Sequence, residues 1–554
     1  MTDLPSPSDT EKPEAEPAAI PIPSTLTDEA LLAAERLSGL EFTATEHALL
    51  RDDLRDYQQF YEQIRAIPLQ NATVPAFSVD PRPADASFDP IEASRTSIAL
   101  APLELPALPA DLEQIAFWPL AWLSRLIQTR QVTSLALTEM YLARLKHFDP
   151  LLHCVITLTE ERALKSARQS DSEIAAGRYR GPLHGIPWGV KDLLATAGDP
   201  TTWGSPIYRE QRFDYDATVV ERLDAAGAVL VGKLSVGELA MDDVWFGGQT
   251  RNPWNLEEGS SGSSAGSASA VAAGLVGFAI GTETYGSIVS PATRCRVSGL
   301  RPTFGRVSRH GAMMLSWTMD KIGPIARTVE DCALVFDAIY GRDGRDSTLV
   351  DAPFDWPPQR SAHSLRVGYV PAAFETSDEF AAQNRATLDV CRDLHIELLP
   401  LTLPEYPIAA LVTILLAEAA ASFDDLTRNH TDDQMVRQGK EAWPNSFRAA
   451  RFIPAVEYIQ AQRVRTLAMQ AMAEIMTGVD VYMMPSFADN NLLLTNLTGH
   501  PAVVVPNGVT DSGQPASLTF IGGLYQEADA LTVAQLYQDS TTFHLAHPPL
   551  DKQI

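Results

Sequence analysis

Between Gly259 and Thr303 the chain reads GSSGSSAGSASAVAAGLVGFAIGTETYGSIVSPATRCRVSGLRPT, two Gly/Ser-rich loops around one short helix-like run. Glycine in such loops lets the backbone come close to a bound molecule and aim N–H groups at it. The hydroxyls are candidate nucleophiles, and a serine hydroxyl attacks poorly until a base takes its proton. Three chemistries compete for these residues. A phosphate-binding loop is weakened because no Gly-Lys-Ser/Thr follows the glycines. A nucleophile elbow is matched literally by Gly262-Ser263-Ser264-Ala265-Gly266, with Ser264 as nucleophile and His184-Gly185 as a conceivable oxyanion segment. That elbow needs a strand immediately before it, and the preceding residues, Asn255 to Ser261, read as polar and flexible. The third joins Ser263 and Ser287 to an upstream lysine, Lys191.

The elements that would hold these groups alternate between helix and strand. Ser134 to His147 and Val219 to Ala226 read as helices; residues 154–158 and Ala228 to Val231 read as strands, and Val271 to Ala279 is a further small, apolar run. A turn-rich stretch, 341–365, precedes a strand at Leu365 to Tyr369 and helical segments to about Met476. β-like runs return at Ala502 to Val505. Such alternation suggests helices covering a mostly parallel or mixed sheet. Upstream, Thr27 is placed to cap a helix, and residues 26–66 read as helical. Residues 67–112 are proline-rich and read as a wrap or linker over a larger body. Residues 1–25, rich in Pro, Glu, Ser and Thr, are expected to be a disordered tail.

Further segments stand in a telling order. Gly185-Ile186-Pro187-Trp188-Gly189-Val190-Lys191-Asp192 precedes Asp216-Ala217-Thr218-Val219-Val220, and Arg251-Asn252-Pro253-Trp254-Asn255 leads into the first serine loop. After the second loop come Arg301-Pro302-Thr303-Phe304-Gly305-Arg306 and Asp320-Lys321-Ile322-Gly323-Pro324, then Gly499-His500-Pro501-Ala502 and Phe543-His544. In this order the chain resembles the amidase-signature family from about residue 117 to 550, more faintly between 345 and 475. The resemblance implies an α/β/α sandwich around a central twisted mixed sheet, with a helical N-terminal extension. It divides the chain into a tail (1–25), a helical extension and linker (26–115) and a catalytic domain (116–550).

It also implies roles. Lys191 would be the base, Ser263 the proton carrier after a cis peptide bond, and Ser287 the nucleophile; Thr284, Tyr285 and Gly286 would supply oxyanion-hole N–H groups beside that of Ser287. No metal or organic cofactor is expected. Lys191 must be neutral to act, so burial has to lower its ordinary value of about 10.4; Trp188, Val190, Leu193 and Leu194 offer an apolar setting. The chain departs from the family pattern at Tyr285, Val289, Ser261, Ala265 and Arg296, the first and the last three standing where glycine is usual and Val289 where arginine is common. These departures leave the substrate open. Glu283 reads as a solvated or capping carboxylate, His184 and His500 as structural, and Cys295 as a small packed hydrophobe. The methionines and Trp317 within 313–319 line a pocket or pack in the core.

The implied reaction is hydrolysis of a carboxylic amide in a small-molecule substrate through a serine acyl-enzyme, with esters, anilides and carbamates as further candidates. The alternatives are a glutamine-hydrolysing amidotransferase subunit of a tRNA-dependent complex, which needs partner subunits, and an inactive scaffold. Composition narrows the field further. The 554 residues carry a formal charge of −27, which excludes the basic face that nucleic acid needs and disfavours anionic membrane surfaces. The four cysteines form no CxxC pair or disulfide framework, and the N-terminus shows no apolar signal segment, so a cytoplasmic enzyme is expected. The helical extension could dock on its own core or on a second copy, which leaves a homo-oligomer open.

Overall fold

The computed structural model describes residues 27–82, 98, 100, 103–357 and 360–550. The disordered tail expected over 1–25 lies outside the described residues, and the expected linker is described only in part. The described residues form two compact units that divide between Leu69 and Gln70.

The first unit is a helix pair, α1 (Asp28–Ser38) and α2 (Ala44–Arg65). Thr27 accepts the Ala30 N–H and so caps α1, while Gly39 ends it in the left-handed conformation at φ +66°. Thr43 and Glu46 form a reciprocal capping box on α2. The buried Glu35 and His47 side chains meet between the helices.

The second unit is built on one mixed sheet. In chain order its strands are β1 (Val155–Leu158), β2 (Pro187–Lys191), β3 (Val229–Leu234), β4 (Phe278–Glu283), β5 (Ser298–Arg301), β6 (Lys321–Ala326), β7 (Val367–Tyr369), β8 (Leu398–Pro400), β9 (Val481–Pro485), β10 (Ala502–Val509) and β11 (Pro515–Gly522). Across the sheet they run β1-β3-β2-β4-β6-β5-β10-β11-β9-β7-β8. β2 is parallel to both β3 and β4, β9-β7-β8 are parallel, and the remaining neighbours are antiparallel.

Side-chain alternation on these strands separates two cores. Trp188, Val190, Leu230, Phe278 and Ile280 belong to one, Val229, Val231, Leu234 and Ala279 to the other. Helices 120–128, 218–225 and 329–339 pack into the first core, and helices 160–175, 265–272 and 289–295 into the second. The helix Ser134–Leu152 serves both. The fold is thus the expected α/β architecture, a large mixed sheet flanked by helices.

Three sequence expectations are corrected. Asn255–Gly259, read as flexible, is a strand that pairs with Arg251–Asn252 in a ribbon separate from the sheet. Its polarity reflects that position: none of its five residues is buried, so no apolar alternation marks it. The run Val271 to Ala279 divides, because the helix ends at Ala272 and Gly274 turns the chain at φ +63° before β4. Leu398–Pro400, within the stretch read as helical, extends the sheet as an edge strand. Among the described residues no helix is long and apolar enough to cross a membrane.

Candidate active site

Lys191 closes β2, and Glu283 closes the parallel neighbour β4. The register sets Val190 opposite Ile280, which brings Lys191 to the end of β4, where its Nζ reaches Thr282. The C-terminal ends of parallel strands are where α/β sheets commonly gather ligands, because the following loops open there. Lys191 is fully buried, and Trp188, Val190, Leu193 and Leu194 around it are buried as well. Its Nζ lies 2.8 Å from Ser263 Oγ, 2.8 Å from Thr282 Oγ1 and 3.1 Å from Ser264 Oγ. Among the described residues no carboxylate forms an ion pair with it. Burial pushes its pKa well below the ordinary lysine value, with Asp320 and Glu283 opposing more weakly. An amine in this setting sheds its proton and can take one from a neighbouring hydroxyl.

Ser263 follows a cis Gly262–Ser263 peptide bond and is 1% exposed. Position 262 tolerates only glycine, since a Cβ there would stand 1.7 Å from the Asp242 carbonyl oxygen. Ser264 is fully buried at the start of helix 265–272, donates to Thr282 O at 3.1 Å and accepts the Thr282 N–H at 3.2 Å. A strand does precede this loop, yet Ser264 is not the exposed hydroxyl an elbow requires.

Ser287 is half-buried, and its backbone carbonyl accepts the Ser264 N–H at 3.2 Å, which ties the two loops together. Among the described residues its hydroxyl makes no hydrogen bond, so Lys191 and Ser263 are joined directly while Ser287 is brought alongside by backbone. The N–H groups of Thr284, Tyr285, Gly286 and Ser287 likewise have no acceptor among the described residues. Gly286 takes the left-handed conformation at φ +87°, whereas Tyr285 does not, so the tyrosine fits where glycine is usual. Its side chain is 44% exposed. Ser261 and Arg296 do keep left-handed backbone, at φ +60° and +57°.

Glu283 holds this loop. It is fully buried, not solvated: Oε2 accepts the Ile288 and Val289 N–H groups at 2.8 and 2.9 Å, and Oε1 accepts Arg301 at 2.9 Å and Asn496 at 2.8 Å. Burial would raise its pKa, but Arg301 and these donors outweigh that and hold it at about 2. The carboxylate therefore spans the loop from its first residue to the helix Val289–Cys295. A second carboxylate, Asp320, accepts the Thr284 hydroxyl at 2.5 Å and the Leu315 and Ser316 N–H groups at 2.8 and 3.0 Å. Glu418, from helix 412–422, accepts Ser316 at 2.6 Å, Thr318 at 2.8 Å and Tyr458 at 2.8 Å. The 313–320 segment is thereby pinned between the loop and the region where the sequence resemblance is faint.

Sequence reasoning placed Lys191, Ser263, Ser287 and the 284–286 loop, and the structure gathers them at one sheet edge. It missed the anchoring functions of Glu283, Arg301, Asn496, Asp320 and Thr282. Only Glu283 carried a signal, as a carboxylate three residues before a Gly-Ser turn at a helix start. His500 is buried and bonded to Thr498 at 2.8 Å, and burial lowers its pKa to about 3, which fits a structural residue. Cys295 is buried and free, and burial pushes its thiol up.

A family model described as Amidase matches residues 136–531. A glutamyl-tRNA(Gln) amidotransferase subunit of Chloroflexus aurantiacus is 37% identical over 470 residues, covering 76% of this chain and 96% of that protein. Its counterpart from Methylococcus capsulatus is 36% identical over 479 residues, covering 77% and 98%. Among solved structures, native peptide amidase from Stenotrophomonas maltophilia superposes with a TM-score of 0.68 at 31% identity, over 78% of this chain and 99% of that one.

Proposed function

The chain belongs to the amidase (amidase-signature) family, whose members hydrolyse C–N amide bonds, and we propose that it does so as a free-standing amidase through an acyl-enzyme on Ser287. The observation that carries this reading is the company of Lys191: a fully buried amine, without an ion-paired carboxylate among the described residues, 2.8 Å from Ser263 Oγ. Neutral Lys191 takes the Ser263 proton while Ser263 takes that of Ser287, and the Ser287 oxygen bonds to the amide carbon. The carbonyl oxygen becomes an oxyanion facing the N–H groups of residues 284–287, each such donor being worth about 3 kcal/mol. As the C–N bond breaks, the proton returns through Ser263 to the leaving nitrogen. Water then cleaves the ester by the reverse route. Esters, anilides and carbamates fall within the same chemistry.

The test is labelling with a fluorophosphonate, which traps activated serines, followed by peptide mass spectrometry. A label on Ser287 that disappears in Lys191→Met is expected. A label on Ser264, or none on the intact protein, would overturn the assignment. A second reading rests on the amidotransferase relatives, of which this chain covers nearly the whole length. It is a glutaminase that works only beside partner proteins. Glutamine turnover by the chain only after those partners are added would replace the free-standing reading.

A further inference from the structure

Two buried carboxylates stand beside the relay, and they are held differently. Glu283 spends its charge on Arg301 at 2.9 Å. Asp320 is 8% exposed, and among the described residues no cation forms an ion pair with it. β6 runs antiparallel to β4 with Lys321 opposite Glu283, so Asp320, one residue before Lys321, arrives at Thr284. The Thr284 hydroxyl donates to one carboxylate oxygen at 2.5 Å; the Leu315 and Ser316 N–H groups donate to the other at 2.8 and 3.0 Å. Both oxygens only accept, which is the bonding of an ionised carboxylate. Burial raises the Asp320 pKa, and these donors pull it back.

Thr282 and Thr284 stand two residues apart at the end of β4, and side chains two apart leave a strand on the same face. Thr282 bonds Lys191 Nζ at 2.8 Å and Thr284 bonds Asp320, so the amine and the carboxylate share that face. Two residues of strand rise about 7 Å. Charges at such a separation still interact inside a protein, where the effective dielectric is about 20. The other charges packed around the pair are engaged elsewhere. Arg309 is on Asp346 and Lys233 on Asp192, each at 2.9 Å, and Lys321 donates to the Met319 and Asn496 carbonyls. Glu418 and Arg465, from helices 412–422 and 455–478, both bond to Thr318 Oγ1. Burial pushes the Lys191 pKa down, and of the charges that oppose it Asp320 comes ahead of Glu283.

We infer that Asp320 is a positioning residue for the relay, a fixed counter-charge that acts through Lys191 and keeps it basic enough to accept the Ser263 proton. The inference rests on the acyl-enzyme reading above. In that step Lys191 goes from neutral to positive while Asp320 stays negative. The proton comes from Ser263, which takes that of Ser287 as the Ser287 oxygen bonds to the electrophile. Without the anion, the buried ammonium forms less readily and Lys191 gives up its proton at lower pH.

The test is the rate at which a fluorophosphonate labels Ser287 in the full chain, followed across pH. In the intact protein the rate should fall on the acid side, where Lys191 holds its proton. Asp320→Asn removes the charge and keeps the shape: its amide can accept from Leu315 and Ser316 and donate to Thr284. The acid limb should move to lower pH by roughly one unit. A carboxylate that only braces the loop would, when replaced, slow labelling at every pH and leave the limb in place, and that result overturns the proposal. Asp320→Ser, which removes the charge by truncation, should move the limb the same way. Failure of both variants to fold in a thermal melt would assign Asp320 to the fold alone and equally overturn it. No label on Ser287 in the intact protein, or an unaltered limb in Lys191→Met, would sink the relay itself before any Asp320 variant is read.

Discussion

Lys191 and Lys233 sit on adjacent strands, β2 and β3, and both are fully buried. Their surroundings differ in one respect. Lys233 Nζ lies 2.9 Å from Asp192 and donates to Pro200 O at 2.8 Å, so a carboxylate offsets the burial that pushes its pKa down. Among the described residues Lys191 bonds only to oxygens of Ser263, Ser264 and Thr282, and burial outweighs the opposing charges of Asp320 and Glu283. A paired lysine braces the fold, and an unpaired buried one gives up its proton more readily. Lys321 adds a control. It too is buried and pushed well below the ordinary value, but it donates to the Met319 and Asn496 carbonyls and, among the described residues, makes no hydrogen bond to a hydroxyl. Neutrality without a proton donor does no chemistry.

The comparison is broken most decisively at Lys191 itself. Lys191→Met should lower kcat/KM by roughly a hundredfold to ten-thousandfold, the range for a general base, in an amide hydrolysis assay. The same variant should unfold at no lower denaturant concentration at pH 7, because it removes a costly buried amine. Lys233→Met should do the reverse: it strands Asp192 and costs about 3–5 kcal/mol in urea unfolding. Adding Asp192→Leu should recover most of that loss. Equal destabilisation in the two lysine variants would dissolve the distinction.

A smaller effect is expected at Glu283, where charged hydrogen bonds of about 1.5–3 kcal/mol are at stake. Glu283→Gln should lower both the melting temperature and kcat, since the 284–287 loop loses its brace. Its folded pKa of about 2 lies below the ordinary 4.5, so its stabilisation is complete above 4.5 and is lost as pH falls from there through about 2. Glu283→Gln should flatten that acid limb of stability.

Lys191 gives the opposite dependence. The unfolded chain holds its proton up to about pH 10.4 and the folded chain releases it earlier, so stability rises with pH between the folded value and about 10.4. The stability gained in Lys191→Met should therefore grow as pH falls from about 10.4 toward the folded value, and activity of the intact enzyme should fall only below that folded value, where Lys191 carries its proton. Least of all, Ser261→Gly should stabilise by about 1 kcal/mol, by relieving left-handed backbone at φ +60°.

Much of the site was legible because its chemistry is concentrated. Ser263, Ser264 and Ser287 stand in glycine-rich loops whose composition has few other uses, and Lys191 ends an apolar strand. The alternation of helical and β-like runs gave the α/β class. Glu283 does cap the helix Val289–Cys295, one of its two readings, but its burial against Arg301 was not legible, because a lone carboxylate in sequence looks the same whether it meets water or an arginine. The ribbon 255–259 was missed because its pairing, unlike that of a core strand, leaves no apolar alternation.

The sequence by itself determined which residue types could react, the helix caps at Thr27 and Thr43, and the order of elements, since these follow from short-range backbone and side-chain preferences. Only the tertiary structure decided which buried lysine is paired, that Glu283 and Asn496 meet, and that Asn71 bonds the Met314 backbone. Those outcomes join residues far apart in the chain. Ion pairing and desolvation act through space over a few ångströms, and sequence distance carries almost no information about them.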